Sequence, residues 1–284
     1  MVVLDQRERI SMNLFIGLIT LTAISYAVSC KYSFRYYKTF DEVCDHISGR
    51  WLAFGFVLQA ITLSEKWILD GQAPFTSLGG ILLALSFSLA LALLAGRIKT
   101  PVPVLNSLFS PFIFFLSFLA FLAGTFSTPP PANPLMTTGL AWHIFFTFLG
   151  FSHFTMGFGV AVAFWIQEGQ LKQRQIKSWS YRLPALEILD NLTVFYILLG
   201  FLFWMAGLGL GAVQAFQVWH RLPFDDPKIL GSFLVLLIYG FFFCLRWVFQ
   251  MRGRKSMTLV MAGYFLALFT FVGVRVFLTT QHVF

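Results

Sequence analysis

The chain has 284 residues, of which 58% are hydrophobic and 11% charged, and its mean hydropathy is +0.77. In soluble domains about a quarter of the residues are charged. The composition therefore excludes a soluble globular protein and indicates an integral membrane protein. In such a chain the net charge of +8 reflects the orientation in the bilayer rather than a nucleic-acid partner.

Eight apolar stretches approach or exceed the length of about 20 residues that a helix needs to cross a ~30 Å hydrocarbon layer. They cover residues 12–30, 51–68, 77–95, 105–124, 139–166, 188–216, 229–249 and 256–279. The loops between them are too short for a soluble domain. The sequence thus predicts an all-α membrane protein in which residues 1–284 form a single domain, a bundle of about eight transmembrane helices.

The basic residues are distributed unevenly between the two sets of loops. Fourteen of the twenty Lys and Arg residues lie in the loops after spans 1, 3, 5 and 7, and five lie on the other side. Because basic loops stay in the cytoplasm, both termini are predicted on the outer, periplasmic side of a bacterial inner membrane. No small-residue cleavage site follows the first span, so it is predicted to be a retained helix.

The cysteines Cys30, Cys44 and Cys244 form no Cys-x-x-Cys pair and no Cys-x-x-Cys-His motif. This spacing argues against a c-type cytochrome and a thiol-redox enzyme. A solvated polar segment explains Cys44 and His46, although the two can in principle bind a metal. Phosphate-loop, His-Glu-x-x-His and Gly-x-Ser-x-Gly motifs are lacking too, so the chain is predicted not to be an enzyme.

Histidines are the candidate ligands in this sequence. The predicted topology places His143, His220 and His282 on the outer side, where two or more can converge, and imidazole is a common axial ligand of haem iron. A single histidine at such a position is more often an amphipathic residue at the membrane boundary. His153 lies ten residues further along the span of His143, where an ionisable side chain indicates a function by default. The alternative is a neutral histidine hydrogen-bonded to a neighbouring helix.

Several other polar or small residues have a structural interpretation beside a functional one. Asp190 lies at a predicted helix start, where a carboxylate is favourable, and Asp226 can cap the next helix. Arg275, near the outer end of the last span, either extends to the interface or pairs with a haem propionate. The pattern Gly207-x-x-x-Gly211 predicts close approach of another helix.

A series of short motifs runs through the last hundred residues. It comprises Leu183-Pro184, Leu186-Glu187, Leu189-Asp190, Gly200-Phe201, Trp219, Asp226-Pro227-Lys228, Tyr239, Arg252-Gly253-Arg254, Gly273-Val274 and His282. In this combination the residues resemble those of the cytochrome c assembly protein superfamily, specifically its eight-helix branch of CcsA-, HemX- and YpjD-like proteins. Weaker similarity through Trp142-His143 extends the resemblance over most of the chain.

The resemblance implies a haem bound non-covalently at the outer membrane face, with His143 and His282 as axial ligands of the iron. It also implies a haem platform formed by the loop from Trp219 to Lys228. Pro223 and Asp225 depart from the pattern, because further tryptophans are expected in this loop. Together with the residues singled out above, the candidate haem-binding set is His143, His282, Trp219, His220, Asp226, Lys228, Arg275 and His153.

Two functions follow as hypotheses. The first is a haem-handling membrane protein of cytochrome c biogenesis that presents haem to a partner, such as a CcsB-like assembly protein. The second is a HemX-like membrane regulator that acts on a haem-biosynthesis enzyme through protein contacts, which the altered loop favours. A small-molecule transporter is a third, less favoured interpretation, because the sequence has no recognisable pair of broken helices.

Overall fold

The computed structural model describes residues 2–70, 75, 77–100, 102–126, 138–173, 183–220 and 226–273. Within these ranges the chain forms α-helices and no strand. The helices, in chain order, are α1 Val2–Thr39, α2 Glu42–Asp70, α3 Leu78–Lys99, α4 Pro103–Phe126, α5 Thr138–Lys172, α6 Leu186–Trp219, α7 Pro227–Trp247 and α8 Arg254–Leu268. A π-helical turn, Phe269–Gly273, continues α8.

Seven of the helices in the described part of the chain, α1 to α7, are long and apolar enough to cross a membrane. The prediction of an all-α multi-pass membrane protein is thereby confirmed. Most of these helices extend beyond the predicted spans. For example, α2 begins at Glu42, nine residues before the apolar stretch, because helical hydrogen bonding continues into polar segments that hydropathy does not detect. The orientation of the termini stays a prediction.

The residue contacts divide the chain into two compact units, Met1–Ala141 and Trp142–Phe284. Unit 1 contains α1 to α4, and unit 2 contains nearly all of α5 together with α6 to α8. Each unit has its own buried interior. The single-domain organisation stays a prediction.

In unit 1, local sequence signals explain where α3 and α4 begin. Ser77 caps α3, and its hydroxyl accepts a hydrogen bond from the Gly80 amide at 3.1 Å, which satisfies one of the unpaired amides of the first turn. Pro103 is the first residue of α4, a position where the missing amide proton of proline costs nothing. Ile19, Leu83 and Ala120 form a buried apolar cluster from α1, α3 and α4.

In unit 2, glycines bring α5 and α6 into close contact. A Cβ atom at Gly150 would lie 2.9 Å from the Trp204 amide nitrogen, and one at Gly200 would lie 2.5 Å from the Phe154 ring. Backbones this close allow extensive van der Waals contact, which drives helix association in lipid. The prediction of close approach from the glycine spacing on α6 agrees with this geometry.

A buried ion pair joins the first turns of α6 to the last turn of α7. The Arg246 guanidinium donates to both carboxylate oxygens of Asp190, with Nη1 at 3.0 Å from Oδ1. Both side chains are about nine-tenths buried. The helix-start position that the sequence predicts for Asp190 is correct, but Asp190 also has a charged partner that is 56 residues distant in the sequence.

Candidate functional site

Unit 2 encloses a cavity of about 320 Å³ between α5, α6, α7 and the π-helical turn. Most of its wall is apolar. Its lining side chains and glycines are His143, Thr147, Trp204, Met205, Leu208, Gly209, Gly211, Ala212, Ala215, Lys228, Ile229, Ser232, Phe233, Leu236, Thr270 and Phe271. An apolar cavity with a few polar groups is typical of small-molecule and cofactor sites.

His143, near the start of α5, is held in one orientation by α6. Its Nδ1 atom lies 2.6 Å from the carbonyl oxygen of Gly207. A carbonyl can only accept a hydrogen bond, so the Nδ1 atom carries the proton and the ring lone pair resides on Nε2. Histidines that bind metals commonly have this arrangement, in which one ring nitrogen donates to a backbone carbonyl and the other binds the metal.

Two glycines of α6 make room for α5, one at the His143 ring and one at Thr147. A Cβ atom at Gly211 would lie 2.7 Å from both Cε1 and Nδ1 of the His143 ring. One at Gly207 would lie 2.8 Å from the Thr147 hydroxyl oxygen. By contrast, Gly209 has no heavy atom within 4 Å of the position of a Cβ. Only glycine therefore fits at position 211 with the imidazole in its observed place.

The start of α7 brings a positive charge to the same cavity. Asp226 is buried and caps α7, since its Oδ1 atom accepts a hydrogen bond from the Lys228 amide at 2.8 Å. Pro227 follows as the first residue of the helix. The capping role predicted for Asp226 is confirmed, and the cap sets the position from which the Lys228 side chain lines the cavity.

An indole and the π-helical turn form another part of the wall. Trp204 is buried, and its Nε1 atom donates to the carbonyl oxygen of Ser232 at 3.3 Å. Phe271 of the π-helical turn stacks on Phe151 of α5, with ring centroids 4.6 Å apart. Thr270, in the same turn, packs against Gly231 of α7, where a Cβ would lie 2.5 Å from the threonine hydroxyl oxygen. A π-helical turn of this kind often occurs at a functional site.

Residues 77–282 match the family described as "Cytochrome C assembly protein". This match covers well over half of the chain. The chain belongs to the cytochrome c assembly protein family. The resemblance noted in the sequence is thus confirmed.

Individual members of the family are similar to the chain along most of their length. Protein HemX of Bacillus subtilis (strain 168) is 24% identical over 245 residues, which cover 83% of this chain and 86% of HemX. Cytochrome c biogenesis protein CcsA of Guillardia theta is 24% identical over 238 residues, covering 76% of this chain and 77% of CcsA.

A solved structure shares the fold. The protein titled "Cytochrome c Heme Lyase CcmF" superposes with a TM-score of 0.61 at 18% sequence identity. The superposition covers 94% of this chain and 49% of CcmF. The chain therefore spans about half the length of that protein, and the likeness at this identity concerns the fold alone.

Among the candidate haem-binding residues, His143 and Lys228 line the same cavity. His153 is buried elsewhere in α5, where its Nδ1 atom lies 2.8 Å from the carbonyl oxygen of Leu149 in the same helix. His220 ends α6 in a left-handed conformation with φ of 52° and is exposed. Arg275, His282 and the side chain of Trp219 lie outside the described part of the structure.

Several polar and aromatic residues that line the cavity were not predicted from the sequence, namely Thr147, Trp204, Ser232, Thr270 and Phe271. Hydroxyl and aromatic side chains occur throughout the chain, and no spacing sets these apart. The described residues contain no cluster of three or more His, Cys, Asp or Glu side chains. Cys44 and His46 are therefore not part of a larger group of metal ligands in this part of the chain.

Proposed function

We propose that this protein binds haem at the cavity of unit 2 and presents it during cytochrome c assembly. The observation that carries the proposal is the His143 imidazole, which lines an apolar cavity with its Nδ1 proton committed to Gly207. Imidazole with the lone pair on Nε2 is the form that binds haem iron. The family and the names of its members support the same function.

The cavity residues fit the chemistry of haem. The macrocycle is planar and apolar, and the walls contributed by Leu208, Phe233 and Phe271 are apolar as well. Haem also carries two propionates, and Lys228 provides a positive charge at the cavity. A cavity of about 320 Å³ is at the small end of the range for ligand sites. We infer that it receives one edge of the haem, while the rest extends beyond the cavity.

The other candidate ligands complete the proposal. His282 is the proposed second axial ligand, Arg275 a partner for a propionate, and Trp219 with His220 part of the haem platform. His153 is a further candidate, set apart from this cavity. All of these assignments rest on the family resemblance and on the sequence.

We infer that the chain positions haem without covalent chemistry of its own. Among the described lining residues the polar side chains are one imidazole, one ammonium, one indole and the hydroxyls of Thr147, Ser232 and Thr270. These groups can bind iron, attract carboxylates and donate hydrogen bonds. The bond-forming step would then belong to a partner, proposed to be a CcsB-like protein in a bacterial cytoplasmic membrane.

The experiment for this function is spectroscopy of the purified full chain in detergent. We expect the wild type to bind added haem with a Soret band and, on reduction, the sharp bands of six-coordinate haem. His282→Ala is expected to retain haem in a five-coordinate form, because His143 remains as a ligand. A wild type that takes up no haem contradicts the proposal and favours the second function, a HemX-like regulator acting on a haem-biosynthesis enzyme.

A further inference from the structure

The interior of unit 1 is polar at the end where α1 joins α2. The Arg97 guanidinium of α3 donates to both carboxylate oxygens of Asp45 on α2, at 2.7 and 2.9 Å. The side-chain amide of Asn106 on α4 lies 3.5 Å from the same carboxylate and 3.4 Å from the Ser48 hydroxyl. Three helices thus direct polar groups into one buried place.

Buried hydroxyl groups continue from this cluster into the unit. The Ser48 hydroxyl lies 2.6 Å from the Ser33 hydroxyl and donates to the Ser29 carbonyl at 3.1 Å. The Ser107 hydroxyl on α4 donates to the Ser33 carbonyl at 2.6 Å. All four serines are buried, so these groups form a polar column inside the unit.

A fully buried trio of polar side chains lies deeper within the unit. The Tyr26 hydroxyl donates to Gln59 Oε1 at 2.6 Å, and Gln59 Nε2 donates to the Ser86 hydroxyl at 2.5 Å. Tyr26 is three residues from Ser29, a rise of ~4.5 Å along α1. Its hydroxyl, however, bonds to Gln59, which lies 11 residues after Ser48 on α2, a rise of ~16.5 Å, and its ring packs at Gly55 between the two. The trio is therefore a separate buried polar group, deeper in the unit than the polar column.

Immediately beyond this trio the interior becomes apolar. Leu83, whose carbonyl oxygen accepts a hydrogen bond from Gln59 Nε2 at 3.0 Å, packs its side chain against Ile19 and Ala120. Phe15 and Leu63 surround this cluster. An apolar cluster therefore borders the polar interior of unit 1 on the side away from Asp45 and Arg97.

Asn106 indicates that the column contains something besides protein. Its Oδ1 atom is fully buried and has no hydrogen-bond partner in the described part of the chain, although the residue is only 1% exposed. The buried hydroxyls of Ser88 and Ser117, on α3 and α4, have no partner among the described residues either. Buried polar atoms of this kind in membrane proteins are satisfied by internal water.

We propose that unit 1 contains a water-filled half-channel. It opens at the Asp45–Arg97 pair, follows the polar column past Asn106, and ends before Tyr26, whose ring packs at Gly55. Its ligands are water molecules, and the chain of water and hydroxyl groups gives protons access to the interior of the unit. This inference is independent of haem binding, because it concerns unit 1 alone.

Reactivity of introduced thiols with Ag⁺, an ion that reaches only hydrated sites, tests the half-channel. The full chain with Cys30, Cys44 and Cys244 replaced carries one new cysteine, Ser110→Cys, one helical turn beyond Asn106 on α4. The matched control is Ala120→Cys, a buried position of the same helix in the apolar cluster. Lys38→Cys, at the exposed end of α1, marks the side on which the half-channel opens.

In right-side-out and inverted vesicles, we expect the Ser110→Cys thiol to react with Ag⁺ from the same side as Lys38→Cys. We expect Ala120→Cys to react at least about tenfold more slowly, because reaction there waits for local unfolding. Adding Asn106→Leu should slow Ser110→Cys by displacing water.

Two results overturn the half-channel. One is a Ser110→Cys thiol as slow as Ala120→Cys in a chain whose Lys38→Cys reacts. The other is reaction of Ser110→Cys from the side opposite to Lys38→Cys. The native Cys30 of α1 is half-buried and its side chain lies against Ser110. Retained in a chain lacking the other two cysteines, it repeats the measurement without a new side chain, so that a folding defect of Ser110→Cys leaves the test intact.

Discussion

Replacing Gly211 by alanine is expected to weaken haem binding by about 10–100-fold, the loss typical of removing a group that orients a metal ligand. The new methyl group would lie 2.7 Å from the His143 ring, closer than carbon atoms can approach. The imidazole must therefore move away, and its hydrogen bond to the Gly207 carbonyl oxygen is lost with the movement. The measurement is a haem titration followed by absorbance.

The matched control for this prediction is Gly240→Ala, a position of α7 outside the cavity lining. Its methyl group would meet no heavy atom within 4 Å, and the change in helix propensity is the same. We expect haem affinity within about twofold of wild type, since a substitution without contacts has little energetic effect. Equal losses of haem affinity in the two variants would show that the packing of His143 against α6 does not determine the affinity.

Removing the carboxylate of Asp190 is expected to lower the free energy of unfolding by about 3–5 kcal/mol, the usual cost of breaking a buried ion pair. Asp190→Asn leaves the Arg246 guanidinium buried and charged, because this group cannot lose its proton. Arg246→Met should cost less, since the remaining carboxyl group can take up a proton. Unfolding in mixed micelles by dodecyl sulfate, followed by tryptophan fluorescence, measures both variants.

The double variant Asp190→Leu/Arg246→Met separates charge pairing from packing. A buried pair replaced by apolar residues of similar size is often close to neutral, so we expect the double variant to be more stable than Asp190→Asn. The ion-pair account is contradicted if Asp190→Asn loses less than about 1 kcal/mol, the range of an exposed pair.

Helices and their caps were largely predictable from the sequence. Asp226 followed by Pro227 carries the signal for the start of α7 within three residues, because capping depends on local chemistry. The partner of Asp190 was not predictable in the same way. Arg246 is 56 residues away. From the sequence alone it is one of the basic residues assigned to the predicted cytoplasmic side. Only the packing of α6 against α7 brings the two together.

The sequence predicted the candidate metal ligand of the site, but not the contacts that hold this ligand in place. The position of His143 near a helix start and the glycine pattern of α6 were both visible in the sequence. That Gly211 accommodates the ring of His143, and Gly207 accepts its proton, depends on the register between α5 and α6. The register is set by many contacts, among them Gly150 against Trp204, and no local motif specifies it.

The polar column of unit 1 illustrates a second limit of sequence reasoning. Serines in a transmembrane helix commonly bond to their own backbone, as Ser25 does with the Leu21 carbonyl. Ser29, Ser33 and Ser48 instead bond between helices. A serine that bonds to its own helix and a serine that bonds to another helix cannot be distinguished in the sequence. The difference arises only when α1 and α2 pack.

The most direct test of haem binding through His143 is an equilibrium haem titration of His143→Ala beside the wild type. The control is His46→Ala, which removes an exposed imidazole of α2 that is outside the candidate haem-binding set and outside the cavity lining. We predict that His143→Ala weakens binding by more than the ~10–100-fold expected for an orienting group, and that His46→Ala binds as the wild type does. Unchanged affinity in His143→Ala would contradict the account.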